Sequence, residues 1–253
     1  MIVTFLGSGT SQGVPVIACT CPVCNSIDYK DKRLRSAIHI QSKNTSLIID
    51  IGPDFRQQVL REKIVSLDAI LLTHEHKDHT AGLDDVRSFN FKQQRKMPVY
   101  GRKQVLDQLR IEYGYIFNSK SYPGIPQIDL EEITNTTFVI NDLTIEPVDL
   151  LHYKLPVFGF KLNNFVYITD AKSISDKEKT KLKNLDVLVL NALQHDPHIS
   201  HFTLQEALML IEELKPKDAY ITHISHNLGL SREVEANLPD NVHLAYDGLK
   251  LNL

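Results

Sequence analysis

The 253-residue chain has no tryptophan and only three cysteines, Cys19, Cys21 and Cys24, all inside six residues. An odd number of thiols packed this closely cannot make a disulfide framework, so the fold must rest on a buried apolar core. Metal binding is the better use of the cluster. No apolar stretch approaches the roughly 20 residues that a membrane-spanning helix requires, and no membrane partner is expected. Positive charge is not in excess: 28 Lys and Arg stand against 31 Asp and Glu, a formal net charge of −3. A surface built to grip nucleic acid is therefore not expected either. The opening MIVTFLGSGTSQG lacks the basic first segment of a secretory signal, and Gly7, Ser8 and Gly9 break its apolar run. We expect a cytoplasmic chain. With no low-complexity linker and no repeat, one domain over residues 1–253 is the default.

What is present reads as strands interleaved with helices. Ile2 to Leu6, Ser36 to Gln41, Ser46 to Ile51 and Ala69 to Thr73 are apolar strand patterns, and Pro53 opens a helix through Lys63. A helical stretch is expected after Thr80, then a strand around Pro98 to Gly101. Thr137 to Ile140, Leu143 to Val148, Val157 to Leu162 and Phe165 to Thr169 form two hairpins turning at Asn141-Asp142 and Asn163-Asn164. Leu185 to Leu190 and Asp218 to Thr222 are strands flanking a helix over Thr203 to Leu214, whose Leu204, Ala207, Leu208 and Ile211 make one buried stripe. Glu112 to Pro126 reads as a long loop or lid, and Lys172 to Lys183 as a solvated helix face. The pattern predicts an α/β chain in which two packed sheets carry helices outside.

The strongest chemical signal is His74-Glu75-His76-Lys77-Asp78-His79. An apolar strand delivers this run to a strand end, and in extended chain His74 and His76 point to one side. Asp78 and His79 follow as the chain turns, so the four ligands divide naturally between two neighbouring ions. Imidazole with carboxylate suits zinc, manganese or iron and selects none of them. His152, Asp170 and His223 also follow apolar strands and supply the further ligands that a metal pair needs, Asp170 being able to bridge.

HEHKDH resembles the H-x-H-x-D-H signature of the metallo-β-lactamase superfamily, and Asp50, His152, Asp170 and His223 fall in the order of its other motifs. Within it, LGSGTSQGVPVIACTCPVC and ITHISH are similar to the phosphoribosyl 1,2-cyclic phosphate phosphodiesterase, or PhnP-like, group. The resemblance implies an αββα sandwich with a binuclear site on one edge. His74, His76, His152 and Asp170 would hold one ion, and Asp78, His79, Asp170 and His223 the other, with Asp50 orienting ligands from behind. It further implies His226 as the fourth ligand of a structural zinc on Cys19, Cys21 and Cys24, a closed tetrahedral set, and a homodimer.

Two divalent cations about 3.5–4 Å apart, Mn or Zn or alternatively Fe, would share a hydroxide as nucleophile. Asp78 and His201 are the catalytic candidates. The resemblance places a site histidine at His201, as general acid or phosphate contact. His195 and His198 compete for that role, although their Asp-Pro surroundings suit a solvated loop. Ser8, Thr10 and Ser11 offer hydroxyls near the site but lack the lysine and spacing of a P-loop. Arg87 either reaches substrate or pairs with Asp84 or Asp85. The leading expectation is a metal-dependent phosphodiesterase acting on a small cyclic or nucleotide-like phosphodiester. The alternatives are a thioester or lactone hydrolase on the same scaffold and a non-catalytic metal-binding protein of cofactor synthesis. A tRNA-processing nuclease lacks support, because no long basic arm is visible.

Overall fold

Hydrophobic alternation with a period of two decides how two sheets face each other. The computed structural model describes residues 1–117 and 124–253. Its strands are β1 (Ile2–Gly7), β2 (Ala37–Gln41), β3 (Ser46–Ile49), β4 (Ala69–Leu71), β5 (Met97–Gly101), β6 (Ile128–Glu132), β7 (Phe138–Ile140), β8 (Leu143–His152), β9 (Leu155–Leu162), β10 (Phe165–Tyr167), β11 (Ser173–Ile174), β12 (Val187–Asn191), β13 (Asp218–Thr222), β14 (Val242–Leu244) and β15 (Lys250–Asn252). One sheet runs β15-β1-β2-β3-β4-β5-β6. The other runs β11-β8-β9-β10-β12-β13-β14, with β7 paired to β8.

Val3, Phe5, Ile38, Ile40, Leu47, Ile49, Ala69 and Leu71 point inward from the first sheet, against Phe158, Phe160, Phe165, Tyr167, Val187 and Val189 of the second. The alternate residues Ile48 and Ile70 face the helices Phe55–Glu62, Arg87–Gln93 and Lys103–Glu112. On the far side Val166, Leu188, Leu190, Ala219 and Ile221 face the helix Leu204–Leu214. The result is the expected αββα sandwich. Each fully buried side chain of this kind contributes roughly 1.5–3 kcal/mol.

The helix Leu204–Leu214 starts at a capping box, in which Thr203 Oγ1 accepts from the Glu206 backbone N–H and Glu206 accepts from that of Thr203. It buries Leu204, Ala207, Leu210 and Ile211; Leu208 is only half-buried against that core. The hairpins at Asn141-Asp142 and Asn163-Asn164 are present, with Asn141 and Asn163 in the left-handed region.

Several expectations need correction. β8 does not stop near Val148-Asp149 but runs to His152, because it pairs with β9 across a third hairpin at Tyr153-Lys154. Helix begins before Thr80, at Lys77–Thr80, and continues in short pieces to Gln93. The span Lys172 to Lys183 is not a solvated helix face. It holds β11 and two short helical turns, and Glu178 is buried, accepting from the Asp149 backbone N–H and from Asn135. Of the expected lid from Glu112 to Pro126, Gly114–Phe117 is a short helix and residues 118–123 lie outside the described residues.

The parallel pairs β3–β4 and β10–β12–β13 set their C-terminal ends along one edge. Thr73 O accepts from the Phe158 backbone N–H at 3.0 Å, joining the two sheets there. Open sheets present ligands in the crevice at such carboxyl ends.

Candidate metal centre

Three site residues directly or closely follow strand ends in the left-handed region: Asp50 (φ 65°), Asp170 (φ 56°) and His223 (φ 55°). Asparagine, aspartate and histidine tolerate that region better than other non-glycine residues, and strained backbone gathers at functional sites. The turn after Asp50 needs Gly52, where an added Cβ would stand 2.0 Å from the Asp78 carbonyl. Close contact lets Ile51 N–H reach His79 O and Gly82 N–H reach Ile51 O, both at 2.8 Å. The turn after Asp170 is held by Asn191, which accepts from Ala171 N–H and donates to Ala171 O.

Buried Asp50 organises the histidine run from behind. Its Oδ2 accepts from His79 Nδ1 at 2.7 Å, and its Oδ1 accepts from the Thr73 backbone N–H at 2.9 Å. The Thr73 hydroxyl donates to the same carboxylate and lies 3.0 Å from His74 Nδ1. With Thr73 Oγ1 donating to Asp50, it accepts from His74 Nδ1–H, which leaves the His74 Nε2 lone pair bare. His152 Nδ1 donates to Ser200 O at 2.8 Å, leaving its Nε2 free in the same way.

Two groups of ligand atoms result, the members of each lying within 4.8 Å of one another: His74, His76 and His152, and Asp78, His79, Asp170 and His223. Asp170 also stands within that distance of His152 and His201, so its carboxylate lies between the groups. His79 Nε2 is 3.1 Å from both Asp78 Oδ2 and Asp170 Oδ2 but aligned for a hydrogen bond with neither. His74 Nε2 is likewise buried without a partner among the described residues.

Electrostatics say what the cluster lacks. Burial pushes His74 well below its ordinary pKa and His223 down to about 4, and it raises Asp50. Burial also opposes charge on His79 and Asp170, yet the neighbours win. Asp78, Asp170 and Asp50 hold His79 well above its ordinary value, while His223 and His79 hold Asp170 well below its own. Two carboxylates and several bare imidazole nitrogens converging in a largely buried site form a cation-binding set, and the donors fit divalent metal ions. Zinc, manganese and iron all accept this mixture.

His201 borders the same carboxylate, its Nε2 3.0 Å from Asp170 Oδ1. Its ring stacks at 5.0 Å on His223 and meets His152 edge-on at 4.6 Å. His198 lies beside it, with Nδ1 3.1 Å from His201 Nδ1, so it is not a free loop histidine. His195 is exposed and bonds Leu228 O at 2.9 Å, away from the cluster.

A second cluster ties the N-terminal loop to the turn after β13. The Sγ atoms of Cys19 and Cys21 lie 3.3 Å from His226 Nδ1, and that of Cys24 lies 3.5 Å away. The Cys24 backbone N–H, opposed by burial and helped by His226, draws the Cys21 thiol down to about 6; burial pushes Cys24 up to about 11. Bridges from Gly9 to Ile224 and Arg35, with Thr10 N–H on Ile224 O, bring the two segments together. Three sulfurs around one ring nitrogen complete a tetrahedral ligand set with no side left for water.

The remaining sequence candidates separate. Ser8 is not available to a phosphate: it is fully buried, donating to Asp247 and accepting from Arg33. Thr10 Oγ1 lies 3.3 Å from His223 Nε2, so this loop does touch the centre, through a ligand histidine. Arg87 faces Asp84 at 3.7 Å. Thr73, Ser200 and Asn191 were not singled out from sequence. Their only signal is adjacency to His74, His201 and the end of β12.

A family model described as "Beta-lactamase superfamily domain" matches residues 45–224. The octanoyltransferase of Porphyromonas gingivalis is 41% identical over 248 residues, which is 97% of this chain and 50% of that protein. A ribonuclease Z of Staphylococcus epidermidis is 25% identical over 169 residues, 64% of this chain and 49% of its own length. The chain thus spans about half the length of these curated relatives. Among solved structures, one described as a new diphosphatase from the PhnP family superposes with a TM-score of 0.94 at 38% identity, covering 100% of this chain and 97% of that one. Zn(2+)-bound PqqB from Methylobacterium extorquens has a TM-score of 0.81 at 18% identity, with both chains fully covered, a likeness of fold.

Proposed function

We propose that the chain, a member of the metallo-β-lactamase superfamily, is a metal-dependent hydrolase that splits a small cyclic or nucleotide-like phosphodiester. One observation carries the reading: two ligand groups share Asp170, and an imidazole nitrogen of His201 stands 3.0 Å from that shared carboxylate. A proton donor thus borders a site fit for two cations. The full-length likeness to a PhnP-family diphosphatase supports a phosphoryl substrate.

In this reading His74, His76, His152 and Asp170 hold one divalent cation, Mn, Zn or Fe, and Asp78, His79, Asp170 and His223 hold a second. Cations bound there would lower the pKa of water and neutralise charge on phosphoryl oxygens. The protein's own part is geometric. Asp50 fixes His79 directly and His74 through Thr73, and Ser200 O fixes His152, so the ligand rings are held already oriented for a cation. When a phosphodiester is split, the departing oxygen needs a proton, and His201 Nε2 is the group placed to give it. Cys19, Cys21, Cys24 and His226 hold a structural zinc. A soluble cytoplasmic homodimer with no nucleic-acid partner completes the proposal.

The test is a substrate panel with metal-loaded protein: bis-p-nitrophenyl phosphate, ribose and nucleoside cyclic phosphates, a nucleotide with a diphosphate linkage, thioesters and lactones. Phosphodiesters should lead. A preference for thioesters over every phosphoryl substrate would overturn the proposal in favour of acyl chemistry, the field of the half-matched octanoyltransferase. His201→Ala should lose about 10²–10⁴-fold in kcat with bound metal unchanged.

A further inference from the structure

Three two-residue hairpins among the described residues turn in the same way, and one of them breaks a local rule. Asn141, Asn163 and Tyr153 each take the first turn position, after the pairs Ile140–Leu143, Leu162–Phe165 and His152–Leu155 close. Their φ values are 50°, 53° and 56°. Asparagine occupies this region readily, whereas a bulky tyrosine there is an outlier. Burial does not offset the strain, since Tyr153 is 51% exposed. Among the described residues its hydroxyl makes no hydrogen bond and no other aromatic ring packs on it; the Lys154 ammonium stands 5.3 Å from the ring centroid. Strain that packing does not explain gathers where a side chain serves a ligand.

The strained turn lies at the rim of the metal centre. Tyr153 directly follows His152, whose ring meets that of His76 edge-on at 5.2 Å. His74 is buried but His76 is exposed, so this ligand group reaches solvent beside the hairpin. The bond from His152 Nδ1 to Ser200 O brings Ile199, 66% exposed, to the same hairpin. Resting on the reading of a nucleotide-like phosphodiester, we infer that Tyr153 is a substrate-binding residue on which the nucleobase stacks while the phosphate lies at the metal ligands. A base offers a planar apolar face that stacks on an aromatic ring whatever its identity. Neighbouring Cα atoms lie about 3.8 Å apart, so a side chain next to His152 is close enough for one ribose to link base and phosphate. The Lys154 ammonium restrains the exposed ring through its π face.

Tyr153→Asn installs the residue that the other two hairpins use, so it should fold with an equal or higher Tm. Binding is read on zinc-loaded protein by isothermal titration with adenosine 5′-monophosphate and with ribose 5-phosphate. The wild type should bind the nucleotide more tightly. Tyr153→Asn should weaken nucleotide binding about 5–150-fold, the worth of one stacked base, and remove its advantage over the ribose phosphate. Tyr153→Phe and Tyr153→Trp should keep that advantage, because the hydroxyl bonds nothing. Hydrolysis of a nucleoside 2′,3′-cyclic phosphate against a base-free ribose cyclic phosphate should follow the same order, with the loss mainly in KM. Equal wild-type affinity for the two phosphates, a preference retained in Tyr153→Asn, equal losses in the Phe and Asn variants, or a lower Tm in Tyr153→Asn overturns the inference. A changed oligomeric state in Tyr153→Asn with nucleotide affinity intact overturns it too, by making Tyr153 a contact between copies. A wild type that prefers the nucleotide through Tyr153 yet hydrolyses no phosphodiester would refute the proposed reaction and leave the base platform standing.

Discussion

Asp50→Asn is the sharpest probe of how this centre is organised. Asparagine has the shape of aspartate and is equally at home at φ 65°, so the change isolates hydrogen bonding from packing and backbone strain. Asp50 has donors on both oxygens, His79 Nδ1–H at 2.7 Å on one and Thr73 N–H at 2.9 Å on the other. An amide must turn its NH2 toward one of them. Facing His79, it forces the proton of that ring to Nε2, the atom aimed between Asp78 and Asp170. Facing Thr73, it sets donor against donor at a fully buried backbone N–H, which costs about 1–3 kcal/mol. Either outcome weakens cation binding. Partners of this kind are worth about 10–100-fold in metal affinity, or about 1.4–2.7 kcal/mol at 1.36 kcal/mol per tenfold. Zinc affinity measured by competition with a chelating dye should show that loss, with the loss in activity tracking metal occupancy. Wild-type zinc affinity in Asp50→Asn would refute the idea that Asp50 sets the ligand histidines.

Three further outcomes follow from the same structure. Cys21→Ser should purify with one zinc fewer per chain and a lower Tm, about 2–4 °C for each kcal/mol lost in a chain of this size; equal zinc content and equal Tm would remove the structural site. Gly52→Ala drives a Cβ to 2.0 Å from the Asp78 carbonyl, so it should cost at least the roughly 1–3 kcal/mol of overpacking, read by urea unfolding, and lower metal content too. Buried His39, bonded to Ser46 Oγ at 2.8 Å, is pushed by burial from 6.5 to about 4. The unfolded chain therefore binds its proton first. That contribution to stability is whole above pH 6.5 and drains away as pH falls toward 4, roughly 3 kcal/mol in all. Unfolding at pH 7 and pH 5 should show a smaller acid loss in His39→Gln than in the wild type.

Local patterns in the chain reached a long way. Alternating apolar residues at Val3 and Phe5, Ile38 and Ile40, or Val187 and Val189 fix which face of each strand is buried, since successive side chains point to opposite sides. The His74–His79 run names a metal site by itself, because so many imidazoles and carboxylates have no other use at a strand end. What escaped was short or cooperative. β6, β11, β14 and β15 carry weak patterns and are strands only because an existing sheet edge pairs with them. β8 reaches His152 because β9 supplies hydrogen bonds up to Leu155, an effect of the partner that no local pattern holds.

The sequence determined the chemistry of the donors, the two-sheet architecture and the segments that carry the ligands, all set by residue type and short-range spacing. Tertiary structure decided which atoms meet. Asp50 lies 29 residues from His79, His226 lies 202 residues from Cys24, and the Nδ1 atoms of His198 and His201 meet because Ser200 holds the loop between them. Hydrogen-bond partners, bare lone pairs and the sharing of Asp170 depend on distances of about 3 Å between distant segments. Only packing the two sheets face to face, with their strand ends along one edge, sets those distances.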